Sequence, residues 1–240
     1  MKTLVIKSRF ALSAPLPGTP VMPTYDPSLM ASYDASSMDV SGTTLTKWRN
    51  KQGAWGSLGD LVTAKSQFPI SVDNGAAVFL GGTSETYMDS SALVSELPLG
   101  KATFIARVRF GASSDTLDCT IFSSQSTAKY AFARRRTSTG TPGTFDVGLS
   151  QGNPQATTTL SLAKEVWADV VLVVDGNNSK FYIDDQVNTL ALGLTNAALP
   201  SLRLGANNAG ANRLNGRISH FRIYNRAIAL DELQEIRASM

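Results

Sequence analysis

A chain of 240 residues, 42% of them hydrophobic, can bury a sizeable core without covalent staples, and its length suits one large domain or one domain plus a small arm. The net charge of +3 is spread evenly. Lys+Arg against Asp+Glu runs 10 to 8 over residues 1–110, 4 to 3 over 111–150 and 8 to 8 over 151–240, so no segment carries the basic surface of a nucleic-acid binder. The single cysteine, Cys119, excludes an intrachain disulfide and reads as a core thiol within the apolar run 119–122.

Residues 2–10 alternate as a strand, with Leu4 and Ile6 on one side and Val5, Lys7 and Arg9 on the other. Lys7 and Arg9 break the apolar run too early for a secretion signal. No stretch approaches the ~18 apolar residues of a membrane span. The expectation is a chain folded in a reducing cytoplasm. Residues 11–27 hold five prolines, which forbid helix and interior strand and predict an extended, semi-rigid arm. Residues 1–24 are therefore expected to anchor the chain through the strand Leu4, Val5, Ile6 and this arm, ahead of a domain over 25–240.

From residue 28 the pattern is β throughout. Strands are predicted over 28–34 and 44–50, followed by a Gly-rich loop over 51–60 that carries Trp55. Segments 68–72 and 76–81 form a hairpin around Asp73-Asn74-Gly75. Segment 102–110 alternates cleanly, with Phe104, Ala106, Val108 and Phe110 facing inward and Arg107 and Arg109 outward. Strands over 118–123, 129–135, 144–150 and 157–162 follow. The nearly continuous apolar run 166–174 predicts a central strand covered on both faces. Asp175-Gly176-Asn177-Asn178 is a turn into a strand over 180–184. Only 230–238 reads as helix, with Asp231 and Glu232 in the first turn and Arg237 near its end. Many short strands without alternating helices give an all-β fold.

Several of these segments resemble a known family in order and spacing. They are Phe104–Phe110, Thr120–Ser124, the Trp167–Gly176 strand ending in Asp-Gly, Lys180–Asp184, Leu202-Arg203-Leu204-Gly205 and Gly216–Leu233. The chain resembles, over about residues 25–240, the laminin-G-like branch of the concanavalin A-like jelly-roll lectin/glucanase superfamily. The resemblance implies a two-sheet antiparallel jelly-roll sandwich with one short C-terminal helix. It departs from the family pattern at Asp184-Asp185, at Ser219-His220 and at Asp169. These positions could shape a polar or calcium site, so the resemblance carries no metal site with it.

Glycosidase chemistry needs two carboxylates facing one cleft. The superfamily's glucanases set them on one strand as Glu-x-Asp-x-Glu, and no such run occurs here. Asp231, Glu232 and Glu235 fall on a solvated helix face. His220 is the sole histidine, so neither a triad nor a multi-histidine metal site can be assembled. Asp175, Asn177 and Asn178 could offer calcium some oxygen ligands, but the sequence is also that of an ordinary turn; no cofactor is expected. Sugar recognition uses an aromatic platform beside amides and carboxylates, and the loop candidates are Trp55, Tyr87, Asn207, Asn208 and Asn212. Trp48 and Trp167 lie in strands and read as core. Arg134-Arg135-Arg136 is either a solvated strand end or a contact for phosphate or an acidic partner subunit.

The functional expectation is a non-enzymatic structural or adhesion module of a bacteriophage particle, made in the host cytoplasm. It would be held through its arm by other virion proteins or identical subunits, and would display a sandwich with weak affinity for surface glycans. A free-standing bacterial carbohydrate-binding lectin is the alternative, and a glycoside hydrolase is disfavoured.

Overall fold

A computed structural model describes residues 26–52, 59–64, 69–82, 84–90, 97–98, 100–114, 118–124, 131–136, 143–149, 156–193, 198–199 and 201–240. Trp55, the expected anchor Leu4, Val5 and Ile6, and the boundary at 24/25 lie outside these residues.

Among the described residues the chain opens with β1 (Leu29–Tyr33), β2 (Met38–Ser41), β3 (Thr44–Trp48), β4 (Leu61–Thr63), β5 (Ile70–Asp73), β6 (Ala76–Leu80) and β7 (Met88–Ser90). It continues through β8 (Leu97–Pro98), β9 (Ala102–Phe110), β10 (Cys119–Ser123), β11 (Ala131–Arg135), β12 (Thr144–Leu149) and β13 (Ala156–Ser161). It closes with β14 (Trp167–Val174), β15 (Ser179–Ile183), β16 (Gln186–Leu190), β17 (Ala198–Leu199), β18 (Arg203–Leu204), β19 (Asn215–Tyr224) and the helix α1 (Leu230–Ala238).

Apart from β8 and β17, which pair only with each other, the strands form two antiparallel layers of a jelly-roll sandwich. The front layer runs β16–β15–β14–β9–β19. On its far side β19 pairs with β6 through its first half and with β1 through its second. The back layer runs β13–β12–β11–β10–β18–β7–β4–β3–β2. Strand β5 pairs with both β3 and β6 and so joins the layers along one side. The β5–β6 hairpin turns through Asn74 and Gly75, both at positive φ, which is the backbone that a two-residue Asn-Gly loop provides.

Alternation builds the core. Phe104, Ala106, Val108 and Phe110 of β9 point inward together with Ala168, Val170, Leu172 and Val174 of β14. They meet Phe122 and Phe145 of the back layer, and Phe104 stacks on Phe122 at 4.8 Å between ring centroids. Trp48 is fully buried, and its indole N–H donates to the Asp34 carbonyl at 2.8 Å, which leaves no polar atom stranded. Cys119 is buried in the same core.

The outward face of the front layer is apolar at one end and charged at the other. At the apolar end, Ile105, Val171, Val173, Tyr182 and Tyr224 are covered by Leu233 of α1 and by Ile228. The continuous apolar run of β14 thus buries one face in the sandwich and the other under the helix. At the charged end the helix is absent and the face is open. None of the described helices is long and apolar enough to cross a membrane.

Candidate functional site

Pairing register sets the charged end of the front face. Arg217 of β19, Arg109 of β9 and Trp167 of β14 are direct cross-strand neighbours and form one row. His220, Arg107 and Asp169 form the next. Two arginines placed side by side would repel, and each is answered by a carboxylate. Arg217 pairs with Asp73 at 2.7 Å, and Arg109 pairs with Glu165, whose carbonyl also accepts from Arg109 Nε at 3.0 Å. Arg107 donates to Asp169 at 3.2 Å.

A depression of about 250 Å³ lies beside the first row, lined by Val78, Leu80, Arg109, Glu165, Asn215 and Arg217. Asn215 donates to the Leu80 carbonyl at 3.1 Å and to Ser113 Oγ at 2.8 Å, which fixes its amide at the rim. Gly216 is required beneath it, because a Cβ there would lie 2.3 Å from the Arg109 carbonyl oxygen. Leu80 is 57% exposed and Val166 50%. Trp167 stands between Val166 and Asp169, half-buried on this outward face rather than in the core where strand position alone predicts it. Guanidinium donors, a carboxylate acceptor and an amide therefore line the depression with the solvent-facing Leu80, and the Trp167 indole adjoins it, directly across from Arg109. That combination suits a ligand with apolar C–H faces and many hydroxyls.

Burial alters the second row. It pushes the Asp169 carboxyl up from its ordinary range, against the pull of Arg107, and the nearby Asp184 adds to the rise. Burial lowers the His220 imidazole. Arg222 and Arg107 act in the same direction and Asp34 opposes them. His220 Nδ1 lies 3.0 Å from Ser219 Oγ.

Among the described loop candidates, Tyr87, Asn207 and Asn208 come together on the back layer, but as a clamp. Arg203 grips Asp89, its cross-strand partner, with two hydrogen bonds of 2.6 and 2.9 Å. It also donates to the carbonyls of Asn207 and Asn208 at 3.2 and 3.0 Å. Its guanidinium covers the Tyr87 ring at 4.4 Å, and Gly210 closes on the Tyr87 hydroxyl from the loop. Tyr87 is buried, so it offers no open platform, contrary to the sequence reading. Asn207 Oδ1 accepts from the Ala209 and Ala211 N–H groups and shapes the loop. Asn212 takes a positive φ, and its carbonyl accepts from Thr120 N–H at 2.8 Å.

The arginine run divides by alternation. Arg134 and Arg136 face outward and share Asp146 at 2.7 and 3.4 Å. Arg135 turns inward, 3% exposed, and lies over the Phe110 ring while donating to the carbonyls of Leu162 and Ser114. Arg135 is thereby removed from the partner contact proposed for the run. Its neighbours spend charge on Asp146 within the sheet.

The Asp175–Asn178 segment is a short 3-10 turn whose Asp175 pairs with Lys101 at 3.1 Å. Asp184 and Asp185 form the tight turn between β15 and β16 and so do not continue the strand. No group of three or more metal-binding side chains is arranged around a common point among the described residues.

Residues 80–234 match a laminin G family model described as the concanavalin A-like lectin/glucanases superfamily. No curated protein sequence matches the chain. Among solved structures, domain 4 of AbnA, a GH43 extracellular arabinanase from Geobacillus stearothermophilus in complex with arabinotriose, superposes with a TM-score of 0.61 at 18% identity. That match covers 86% of this chain and 97% of the domain. The botulinum neurotoxin serotype D binding domain gives 0.63 at 10% identity, covering 89% of this chain and 52% of its own. Trypanosoma rangeli sialidase gives 0.58 at 16%, covering 90% and 34%. The chain thus spans about half of the neurotoxin domain and a third of the sialidase. At these identities the likeness is one of fold.

Proposed function

The chain belongs to the concanavalin A-like lectin/glucanase superfamily, and from that premise we propose that it is a non-enzymatic carbohydrate-binding module that engages glycans through the open end of its front face. The observation that carries this reading is the half-buried Trp167 on the outward face, in one cross-strand row with Arg109 and Arg217, which line the adjoining depression together with Glu165 and Asn215. An indole stacks on the C–H face of a sugar ring, and the flanking groups donate to and accept from its hydroxyls. The likeness to an arabinanase domain solved with arabinotriose supports the ligand class. The non-enzymatic part rests on Glu165 and Asp169, each held in an ion pair with an arginine and so poorly placed as free acid and base.

A glycan array that includes arabinotriose and sialylated glycans tests the reading. Wild type retains a defined subset, and Trp167→Ala weakens that binding by about thirtyfold or more, as loss of an aromatic anchor does, with an unchanged melting temperature. An empty array, or equal binding by the variant, overturns it.

A second reading places this module on a bacteriophage particle, held by virion proteins or identical subunits. Five prolines within residues 11–27 favour it, since proline-rich sequences act as semi-rigid spacers. Deleting residues 1–24 then abolishes incorporation into particles and leaves glycan binding intact; undiminished incorporation dismisses it.

A further inference from the structure

A second depression, of about 380 Å³, opens on the same face where the β15–β16 turn meets the last turn of α1. Asp169, Asp184, Asp185, Gln234 and Arg237 line it. The side chain of Arg237 is only 9% exposed, and its guanidinium lies over the Tyr182 ring at 5.5 Å. None of its Nε, Nη1 and Nη2 atoms makes a hydrogen bond. The nearest carboxylate oxygen, Asp185 Oδ1, is 3.7 Å from Nη1, within ion-pair range and beyond hydrogen-bond reach. A buried guanidinium with every donor unmet is costly, and such a group calls for a partner.

The surroundings select that partner. Three aspartates repel an anion, and the unmet guanidinium of Arg237 needs an acceptor, which a cation does not supply. Carboxylates only accept and guanidinium only donates. Asp184 Oδ1 accepts the Asp169 N–H at 2.9 Å, and Asp185 stands on the outer lip with its side chain 93% exposed. The guanidinium nitrogens are shielded from solvent, so a hydroxyl reaches them as the exposed Asp185 side chain swings aside, and it then accepts from the guanidinium and donates to the carboxylate. Two adjacent hydroxyls use the guanidinium fork and both turn aspartates. Asp169 also stands two residues along β14 from Trp167 on the same face, a separation of about 7 Å.

We infer that the Arg237–Asp184–Asp185 depression is a second subsite for a neutral, vicinal-diol-bearing sugar residue, so that the front face takes an oligosaccharide with one residue at Trp167 and a neighbouring one here. This rests on the carbohydrate-binding reading above. It narrows the ligand to neutral chains of two or more residues and makes Arg237 a specificity-determining residue.

Calorimetric titration of the full chain tests it, with glucose, cellobiose and cellotriose, the matching galactose and xylose series, and digalacturonic acid as the anionic probe. A neutral disaccharide binds more tightly than its monosaccharide. Asp185→Ala and Arg237→Gln each lower disaccharide affinity by about tenfold and leave the monosaccharide unaffected, whereas Trp167→Ala weakens both. Disaccharide binding that neither variant changes, or a preference for digalacturonic acid, overturns the subsite. If Trp167→Ala alone weakens binding, the subsite falls and the lectin reading stands; if wild type binds none of these neutral sugars, the subsite falls and the glycan array decides the lectin reading. Should Arg237→Gln loosen the helix, Asp185→Ala on its exposed turn carries the test.

Discussion

Arg203 donates to both oxygens of Asp89 and to two loop carbonyls while its plane covers Tyr87, and its side chain is 10% exposed. Removing it strands a largely buried carboxylate and frees the loop that follows β18. Arg203→Ala is expected to cost about 3 kcal/mol, measured by chemical denaturation, because breaking a buried pair leaves one charge uncompensated. Arg203→Lys recovers only part of that, since an ammonium cannot reproduce the bidentate grip. The sequence marks Tyr87 and Asn207 as residues suited to a ligand, and it cannot show that the clamp joins positions 114 apart. Trp167 is the converse case. Its strand was legible, but its position at the outward end of β14, beyond the cover of α1, follows from tertiary packing alone.

At the scale of elements, α1 decides which part of the front face is open. Its docking residue Leu233 is fully buried against Ile105, Val171 and Val173. Leu233→Ala is expected to destabilise the domain by about 2–4 kcal/mol, read as a shift in the denaturation midpoint without loss of the Trp167 site. The helix was legible to its ends, Leu230–Ala238, because acidic residues open it and Arg237 closes it. β9 was equally legible, since nine residues carry several turns of alternation. β4 and β7 were not legible as strands, because three residues cannot display a period of two. Their identity comes from their neighbours in the back layer.

At the scale of the whole molecule, ionisation ties stability to pH in two steps. The His220 imidazole is lowered in the fold by burial and by nearby arginines, so the unfolded chain binds that proton more readily. Stability is therefore full above pH 6.5, the unfolded value, and falls as pH drops toward the lower folded value, by at most about 1.4 kcal/mol per unit of difference. Asp26 and Asp34 are depressed. Burial raises them, but hydrogen bonds from Ser28 and Arg226 to Asp26, and from Ser36 and Lys51 to Asp34, prevail. Their contribution is present above 3.8 and lost below it. Asp169, raised by burial, has the opposite sign in a higher window, since the penalty of its buried charge is relieved as pH falls from its folded value to 3.8. Thermal melts across pH 3–8 are expected to show both declines, and His220→Gln to flatten the upper one alone.

β19 borders β1, β6 and β9, and it is also the last strand in chain order. On the ribosome, β9 is complete at Phe110, 114 residues before β19 ends at Tyr224. At ordinary synthesis rates the growing chain spends roughly 6 to 23 seconds with those edges waiting for their common neighbour. Open edges of this kind invite pairing with other chains. The placement that makes β19 the seam of the finished sandwich thus makes the nascent chain depend on whatever shields it during that interval.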